Sequence, residues 1–299
     1  MRAERYSSSP PAAALEALDD RRLDELAAVL TEHTGLLFPA EKRRELRTKL
    51  VADPEPLGDP ATLAARARES EPLRQALINR LTIGESYFFR NHPHFDALRE
   101  RVIPDLLSRK RADRALSVWC AGCATGEEPY SIAMLLDRHF PQAESFAISI
   151  LATDLNTDFL ERAAAGIYSP WSFRGVDDRT VGRYFERIGE RRYRLDDRIR
   201  ERVRFRRMNL GLPPYADRLP EAPFDLVLCR NVLIYFSFEL ADRVVRALGE
   251  TLADDGYLLV GHAEAFPALR ELEAIYSNAT YYYRNCDRPR ESRASAPFE

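Results

Sequence analysis

The segment VWCAGCATGEEPYS (118–131) gathers residue types that can do chemistry. It holds Cys120 and Cys123 at Cys-x-x-Cys spacing, Gly122 and Gly126, and the adjacent Glu127 and Glu128. Three chemistries fit such a run: a metal or redox site, a turn that cradles a ligand, or a carboxylate pair doing acid–base work. Zinc takes four ligands, and no histidine stands at ligand spacing from these cysteines; Cys229 is the one further thiol that a fold would bring near. No metal site is expected. His92 and His94, in HPHF, open a helix and are too isolated to define a site. The four cysteines form no disulfide pattern and are expected to be reduced.

The elements around the segment decide between the other two readings. ALSVWCAG is a short apolar run of buried-strand type, and a helix is expected from Glu127 to about His139. FAISILATD is a second such run, followed by the helix NTDFLERAAAG. RVRFRRMNL alternates with period two, PFDLVLCRN is a third buried run with a helix after it near 237–252, and DGYLLVGH and TYYYRN close the series. Strands alternating with helices predict a doubly wound, mostly parallel sheet, with the last strand antiparallel after a hairpin-like YSNAT. Between 169 and 207 the alternation breaks into short period-two pieces, which predicts a small antiparallel β insertion. From Arg174 to Arg207 there are thirteen Arg against seven Asp or Glu. That excess suits either a solvated face laced with salt bridges or a docking surface for an acidic peptide.

Residues 20–90 carry helical periods only, for example Leu23, Leu26, Ala27 and Leu30 ahead of a C-cap-like Gly35. An all-α N-terminal domain is therefore expected at 20–90 and the α/β domain at 91–285. The polar ends, 1–19 and 286–299, are expected to be disordered tails. Two domains suit 299 residues. The net charge of −3 gives no reason to expect a nucleic-acid partner. No apolar run reaches the roughly 18 residues of a membrane span, and the first residues lack a signal peptide's apolar centre. A cytoplasmic protein with no membrane insertion is expected.

In a doubly wound sheet the ligand sits beyond the carboxyl ends of the strands, where the strand order reverses. The first strand must then turn through small residues, and Gly122 lies in such a turn. Asp154 ends the next strand, where a carboxylate can accept from both ribose hydroxyls. A dinucleotide would set its pyrophosphate on the following helix N-terminus, but that helix begins with Glu127 and Glu128. A cofactor with a cationic end fits better, and S-adenosylmethionine carries a sulfonium and an amino group. Glu127 is explained by the helix dipole alone, whereas Glu128 suits the ligand. Arg230 and Asn231 leave the third buried strand where active-site residues usually sit, and Tyr235 follows a turn later. LPPY (212–215) precedes that strand and is expected to be a turn, which weakens a reading as an amino-methylating enzyme.

Five segments together resemble one family, the CheR-type chemoreceptor glutamate methyltransferases. They are LTIGESYFFR (81–90), ATGEEPYSIA (124–133), ATDLNTDFLERAAAGIY (152–168), FDLVLCRNVLIYF (224–236) and GHAEAF (261–266), in the family's order. GLLFPAEKRRELRTKL is similar to its N-terminal helical segment. The resemblance implies a class I methyltransferase-like fold and transfer of a methyl group from S-adenosylmethionine, leaving S-adenosylhomocysteine, to glutamates on the cytoplasmic helices of chemoreceptors. It implies cofactor contacts from Gly84, Ser86, Arg90, Glu128, Asp154, Asn209, Leu210, Asn231 and Val232, and assigns Arg90 and Tyr235 to the reacting carboxylate. One departure is Gly84-Glu85-Ser86 where many members have Asn-x-Thr, so a contact at Gly84 has to come from backbone. The basic helix bearing Lys42, Arg43, Arg47 and Lys49 would then bind the glutamate-rich receptor helix; without the resemblance it is equally an ordinary solvated face. The protein is expected to act as a monomer. The rival readings are a cofactor-binding signalling module without turnover and a class I methyltransferase for another substrate.

Overall fold

The computed structural model describes residues 19–52 and 59–286. The expected tails therefore lie outside the described residues, apart from Asp19 and Cys286. The chain divides into two compact units, Met1–Ile83 and Gly84–Glu299.

The first unit is helical. In α1 (Asp20–Thr34) Asp19 caps the start by accepting the Arg22 N–H, and Gly35 ends it in the left-handed region at φ 77°, donating to the Thr31 carbonyl at 2.7 Å. The expected stripe of Leu23, Leu26, Ala27 and Leu30 is buried. α2 (Ala40–Ala52) buries Leu46 and Leu50, and α3 (Leu63–Glu69) leads through Ser70, which caps α4 (Glu71–Leu81).

The second unit begins seven residues before the expected boundary. Residues 84–90 belong to it because Phe88 is buried in its core, edge-on to Tyr168, and donates its N–H to the Ser172 carbonyl, while the Phe89 N–H donates to Ser131 Oγ. α5 (His92–Ala97) then runs through a π-helical turn, Leu98–Val102, into α6 (Ile103–Arg109). The alternating series follows: β1 (Ala115–Ala121), α7 (Glu127–His139), β2 (Ala147–Asp154), α8 (Thr157–Ala165), β3 (Ile167–Tyr168), α9 (Asp178–Tyr184), β4 (Phe185–Gly189), β5 (Arg192–Leu195), α10 (Asp197–Arg200), β6 (Val203–Arg207), β7 (Phe224–Cys229), α11 (Phe238–Glu250), β8 (Leu252–Val260), β9 (Glu273–Ser277) and β10 (Thr280–Arg284).

Seven strands form one sheet in the order β6-β2-β1-β7-β8-β10-β9. The first five pair in parallel, and β10 is antiparallel to both of its neighbours. β7 is buried along its whole length and β1, β2 and β8 toward their carboxyl ends, as expected of strands covered on both faces. Asn278 and Ala279, both at positive φ, make the two-residue turn between β9 and β10. The order reverses between β1 and β7, so the exits of β1, β2 and β7 face one crevice.

The β insertion differs from its expected limits. Its three-stranded antiparallel sheet, β3-β5-β4, starts at Ile167, and 203–207 joins the main sheet beside β2. The period-two pattern of RVRFRR belongs to an edge strand, with Val203 buried and its neighbours partly solvated. Many of the arginines are paired: Arg183 and Arg202 share Asp137, Arg194 holds Glu186, and Arg206 forks onto Glu221.

Candidate active site at the sheet's switch point

The turn after β1 is fastened to β2 by the N–H groups of Gly122 and Cys123, both donating to the Thr153 carbonyl at 2.8 and 2.9 Å. Gly122 sits at φ 80°, and a Cβ there would overlap the Val232 side chain. Only glycine lets the β1 exit close onto the β7 exit in this way. Asp154 ends β2 half-buried, with Oδ2 accepting the Ala124 N–H at 2.8 Å and Oδ1 the Asn156 N–H at 2.9 Å. Burial pushes its carboxyl up, against the pull of these N–H groups. The Leu155 N–H is a third backbone donor to this carboxylate, which as an ion offers about four acceptor sites and so keeps capacity for a ligand hydroxyl. The Met208 N–H donates to the Asp154 carbonyl, which brings the β6 exit alongside. There Asn209 Oδ1 accepts the Gly211 N–H, and the Leu210 carbonyl accepts the buried Tyr215 hydroxyl at 2.7 Å. The LPPY segment lies in the irregular connection between β6 and β7, and its tyrosine pins the Asn209–Leu210 corner.

The two adjacent glutamates diverge. Glu127 is buried, accepting from Thr125 Oγ1 at 2.7 Å, from Ser172 Oγ at 3.1 Å and from the Ser86 hydroxyl. Ser86, expected at the cofactor, thus holds segment 84–90 to the start of α7. Glu128 faces Arg230: Nη1 donates to Oε2 at 3.0 Å, and the Cys120 thiol hydrogen-bonds to the same carboxylate. Burial raises the Glu128 pKa while Arg230 opposes the rise.

Arg230 is the hub of the site. Its Nε donates to His94 Nδ1 at 3.1 Å, its Nη2 donates to the Arg90 carbonyl, and its guanidinium lies 5.6 Å from the centre of the Phe95 ring. His94 is buried; that burial, with the nearby charge of Arg230, lowers its pKa to about 3. It is a neutral acceptor for Arg230. Arg90 itself donates from Nη1 to the Glu85 carbonyl at 2.7 Å beside the Tyr87 ring. Arg174 also lies by this strip, 4.0 Å from the Tyr87 ring centre and 4.3 Å from that of exposed Trp171, with its guanidinium on Glu85. Gly84 is explained by packing: a Cβ there would stand 2.6 Å from Phe159 Cζ.

At the β7 exit, Asn231 adopts φ 59° and Val232 leads into a 3₁₀ turn, Leu233–Tyr235. The Asn231 and Leu233 N–H groups donate to the Glu264 carboxylate at 3.2 and 2.9 Å. Tyr235 is half-buried, its N–H donating to the Val232 carbonyl, and its hydroxyl makes no hydrogen bond to any described residue.

The fold therefore gathers Gly122, Glu128, Asp154, Asn209, Leu210, Asn231 and Val232 on the exits of adjoining strands, with Arg90 tied in through its carbonyl. Lys42, Arg43, Arg47 and Lys49 lie in the first unit and already have partners. Arg43 pairs with Asp24 at 2.9 Å and Arg47 with Asp20 at 2.5 Å, while Lys42 and Lys49 flank Glu45, whose pKa they lower. The sequence reading did not single out the carboxylate of Glu264, and it set His94 aside as too isolated, whereas the structure ties that imidazole to Arg230. Neither shows a periodicity or spacing; the only signal was that Glu264 lies in GHAEAF. The buried thiols of Cys120, Cys123 and Cys229 have raised pKa values, burial being the main cause.

The strand order, with small residues at the β1 exit and carboxylates after β1 and β2, defines a class I methyltransferase-like α/β protein. Residues 84–282 match the family of the CheR methyltransferase, SAM-binding domain. The chain belongs to the CheR methyltransferase family. It is 35% identical over 212 residues to chemotaxis protein methyltransferase 2 of Vibrio cholerae, covering 70% of this chain and 73% of that one. It is 37% identical over 198 residues to chemotaxis protein methyltransferase 1 of Pseudomonas aeruginosa, covering 64% and 70%. With the chemotaxis protein methyltransferase of Vibrio parahaemolyticus the identity is 30% over 280 residues, covering 89% and 98%. The cofactor is S-adenosylmethionine, and the donor set fits it. Glu128 and Asp154 are acceptors suited to an ammonium and to vicinal hydroxyls, and the helix that follows β1 opens on two acids whose charge disfavours a phosphate.

Proposed function

We propose that the chain methylates glutamate side chains in the cytoplasmic helical region of chemoreceptors, forming methyl esters. The observation that supports this is a switch-point site in which Arg90 and the Tyr235 hydroxyl stand near the strand exits while the buried histidine is already engaged. Its one buried histidine, His94, is bound to Arg230. A glutamate acceptor ordinarily titrates near pH ~4.3 and is already ionised at neutral pH, so it needs no base. S-Adenosylmethionine supplies an electrophilic methyl on sulfonium and leaves as the neutral thioether S-adenosylhomocysteine.

The chain's own residues do the rest. Glu128 and Asp154 orient the cofactor, and Asn209–Leu210 and Asn231–Val232 line it. Arg90 and the Tyr235 hydroxyl orient the acceptor carboxylate for in-line approach at roughly 3 Å. Opposite charges merge as the methyl moves, so exclusion of water favours the step. The first unit recognises the receptor, the basic side chains of α2 exchanging their internal carboxylates for those of the receptor helix. The protein works in the cytoplasm as a monomer.

The test is transfer of labelled methyl from S-adenosylmethionine to receptors of the host's own array, followed by alkali. Label released as methanol supports a glutamyl ester. Label that resists alkali points to another acceptor, and no label on any receptor favours a cofactor-binding module without turnover.

A further inference from the structure

Glu264 lies outside the cofactor and acceptor contacts proposed above, yet it is 4% exposed, and no Lys or Arg pairs with it among the described residues. Burying a carboxylate without a counter-cation is costly unless hydrogen bonds replace its water. Here four backbone donors do so. Oε2 accepts the Gly261 N–H at 2.6 Å and the Asn231 N–H at 3.2 Å, Oε1 accepts the Leu233 N–H at 2.9 Å, and the Ile234 N–H is the fourth. These donors come from two different strand exits, that of β7 and that of β8. Leu233 and Ile234 open a 3₁₀ turn whose first N–H groups have no partner within the turn. Asn231 stands in the left-handed region, where a non-glycine residue is held at a cost. Gly261 is the one residue type that fits beneath the carboxylate, since a Cβ would stand 2.5 Å from Oε2 and 3.0 Å from the Asn231 nitrogen.

We infer that Glu264 is the positioning residue of the cofactor site, fixing the Asn231–Tyr235 turn by clasping its backbone to the exit of β8. A carboxylate of this length offers four acceptor directions from one group, and the four N–H groups oppose the rise in pKa that burial brings. Glutamine at the same place would turn an NH2 toward N–H donors, and aspartate falls one methylene short. The inference rests on the reading of Asn231 and Val232 as cofactor contacts.

Two measurements on the full chain test it: S-adenosylhomocysteine affinity by calorimetry and amide hydrogen exchange. In Glu264→Gln the Kd for S-adenosylhomocysteine rises about tenfold or more, each factor of ten being about 1.4 kcal/mol. Exchange accelerates at Asn231, Leu233, Ile234 and Gly261 while Val227 and Leu258, within β7 and β8, keep their protection. Native affinity, or protection lost equally along β7 and β8, overturns the assignment. Should Glu264→Gln not fold, Gly261→Ala decides. It keeps the carboxylate but displaces it, and the same local exchange with weaker binding supports the clasp while native binding rejects it. Neither readout requires a methyl acceptor. A wild-type protein that binds S-adenosylhomocysteine yet methylates no receptor therefore sinks the receptor reading and leaves this one standing.

Discussion

Arg230 Nη1 lies 3.0 Å from Glu128 Oε2, and both side chains are largely withdrawn from solvent. On the proposed reading Glu128 meets the cofactor as one half of an ion pair, with Arg230 opposing the rise in its pKa that burial brings. Removing one partner of such a pair costs about 3 kcal/mol or more. Arg230→Ala should lower the thermal midpoint by about 6–12 °C and weaken S-adenosylhomocysteine binding. Arg230→Met with Glu128→Gln should recover most of the midpoint but not the affinity. A single variant that melts like the wild type would show the pair to be dispensable.

Among the described residues the Arg90 side chain hydrogen-bonds to the Glu85 carbonyl beside the Tyr87 ring and feels the charge of Glu128, which leaves donors of its guanidinium for an acceptor carboxylate. Arg90→Ala should cut turnover roughly 100-fold, the scale of a misplaced reactant, and Tyr235→Phe should cut it less. Steady-state rates at saturating receptor check this, and unchanged turnover in Arg90→Ala would remove it from the site.

At Gly84 the neighbouring Phe159 ring leaves no room for a side chain. Gly84→Asn should destabilise by about 1–3 kcal/mol through overpacking. Adding Phe159→Leu should return most of that loss in urea unfolding. If Gly84→Asn alone is neutral, the segment is more mobile than its packing implies.

His94 should remain neutral far below the usual histidine range, with folded and unfolded pKa values of about 3 and 6.5. Between them only the unfolded chain binds the extra proton. This contribution to stability is therefore complete above about pH 6.5 and falls toward pH 3 by up to about 1.4 kcal/mol per unit. Glu127, Glu128, Asp154 and Glu264 act with the opposite sign, since their raised pKa values favour the fold as pH falls. The clean check is the imidazole NMR titration of His94; a midpoint near the ordinary value of 6.5 would contradict the buried acceptor role.

In α2, Arg43 and Arg47 hold carboxylates of α1 through half-exposed pairs, each worth at most about 1 kcal/mol. Arg43→Ala and Arg47→Ala should barely move the midpoint yet raise KM for the receptor with kcat intact. The difference from wild type should shrink at high salt, where the Debye length falls to about 3 Å. A KM indifferent to both residues and to salt would argue against an acidic partner at this helix.

The alternation of apolar runs makes β1, β2, β7 and β8 legible in the sequence, because strands buried on both faces leave a continuous apolar signature. Gly122, Glu128 and Asp154 are legible with them, since their places follow from strand exits. The Arg230–His94 contact is not: it joins residues 136 positions apart, and a histidine's partner has no period. RVRFRR is misassigned by its pattern because an edge strand of the large sheet and a strand of the small one alternate alike. The boundary near residue 84 escapes because LTIGESYFFR continues the apolar texture of α4, and only the burial of Phe88 reveals which core it enters.

The place of β10 has a consequence for the order of events at the ribosome. Residues 280–284 insert between β8 and β9, and Asn285 then exchanges hydrogen bonds with Asp255 and Gly256. A nascent chain that has extruded every strand of the cofactor crevice still exposes one bare edge of β8 until this last segment emerges. Such an edge is open to pairing with other chains. A chain released without residues from Thr280 onward would therefore hold a cofactor crevice whose strands are all present beside a sheet prone to aggregate.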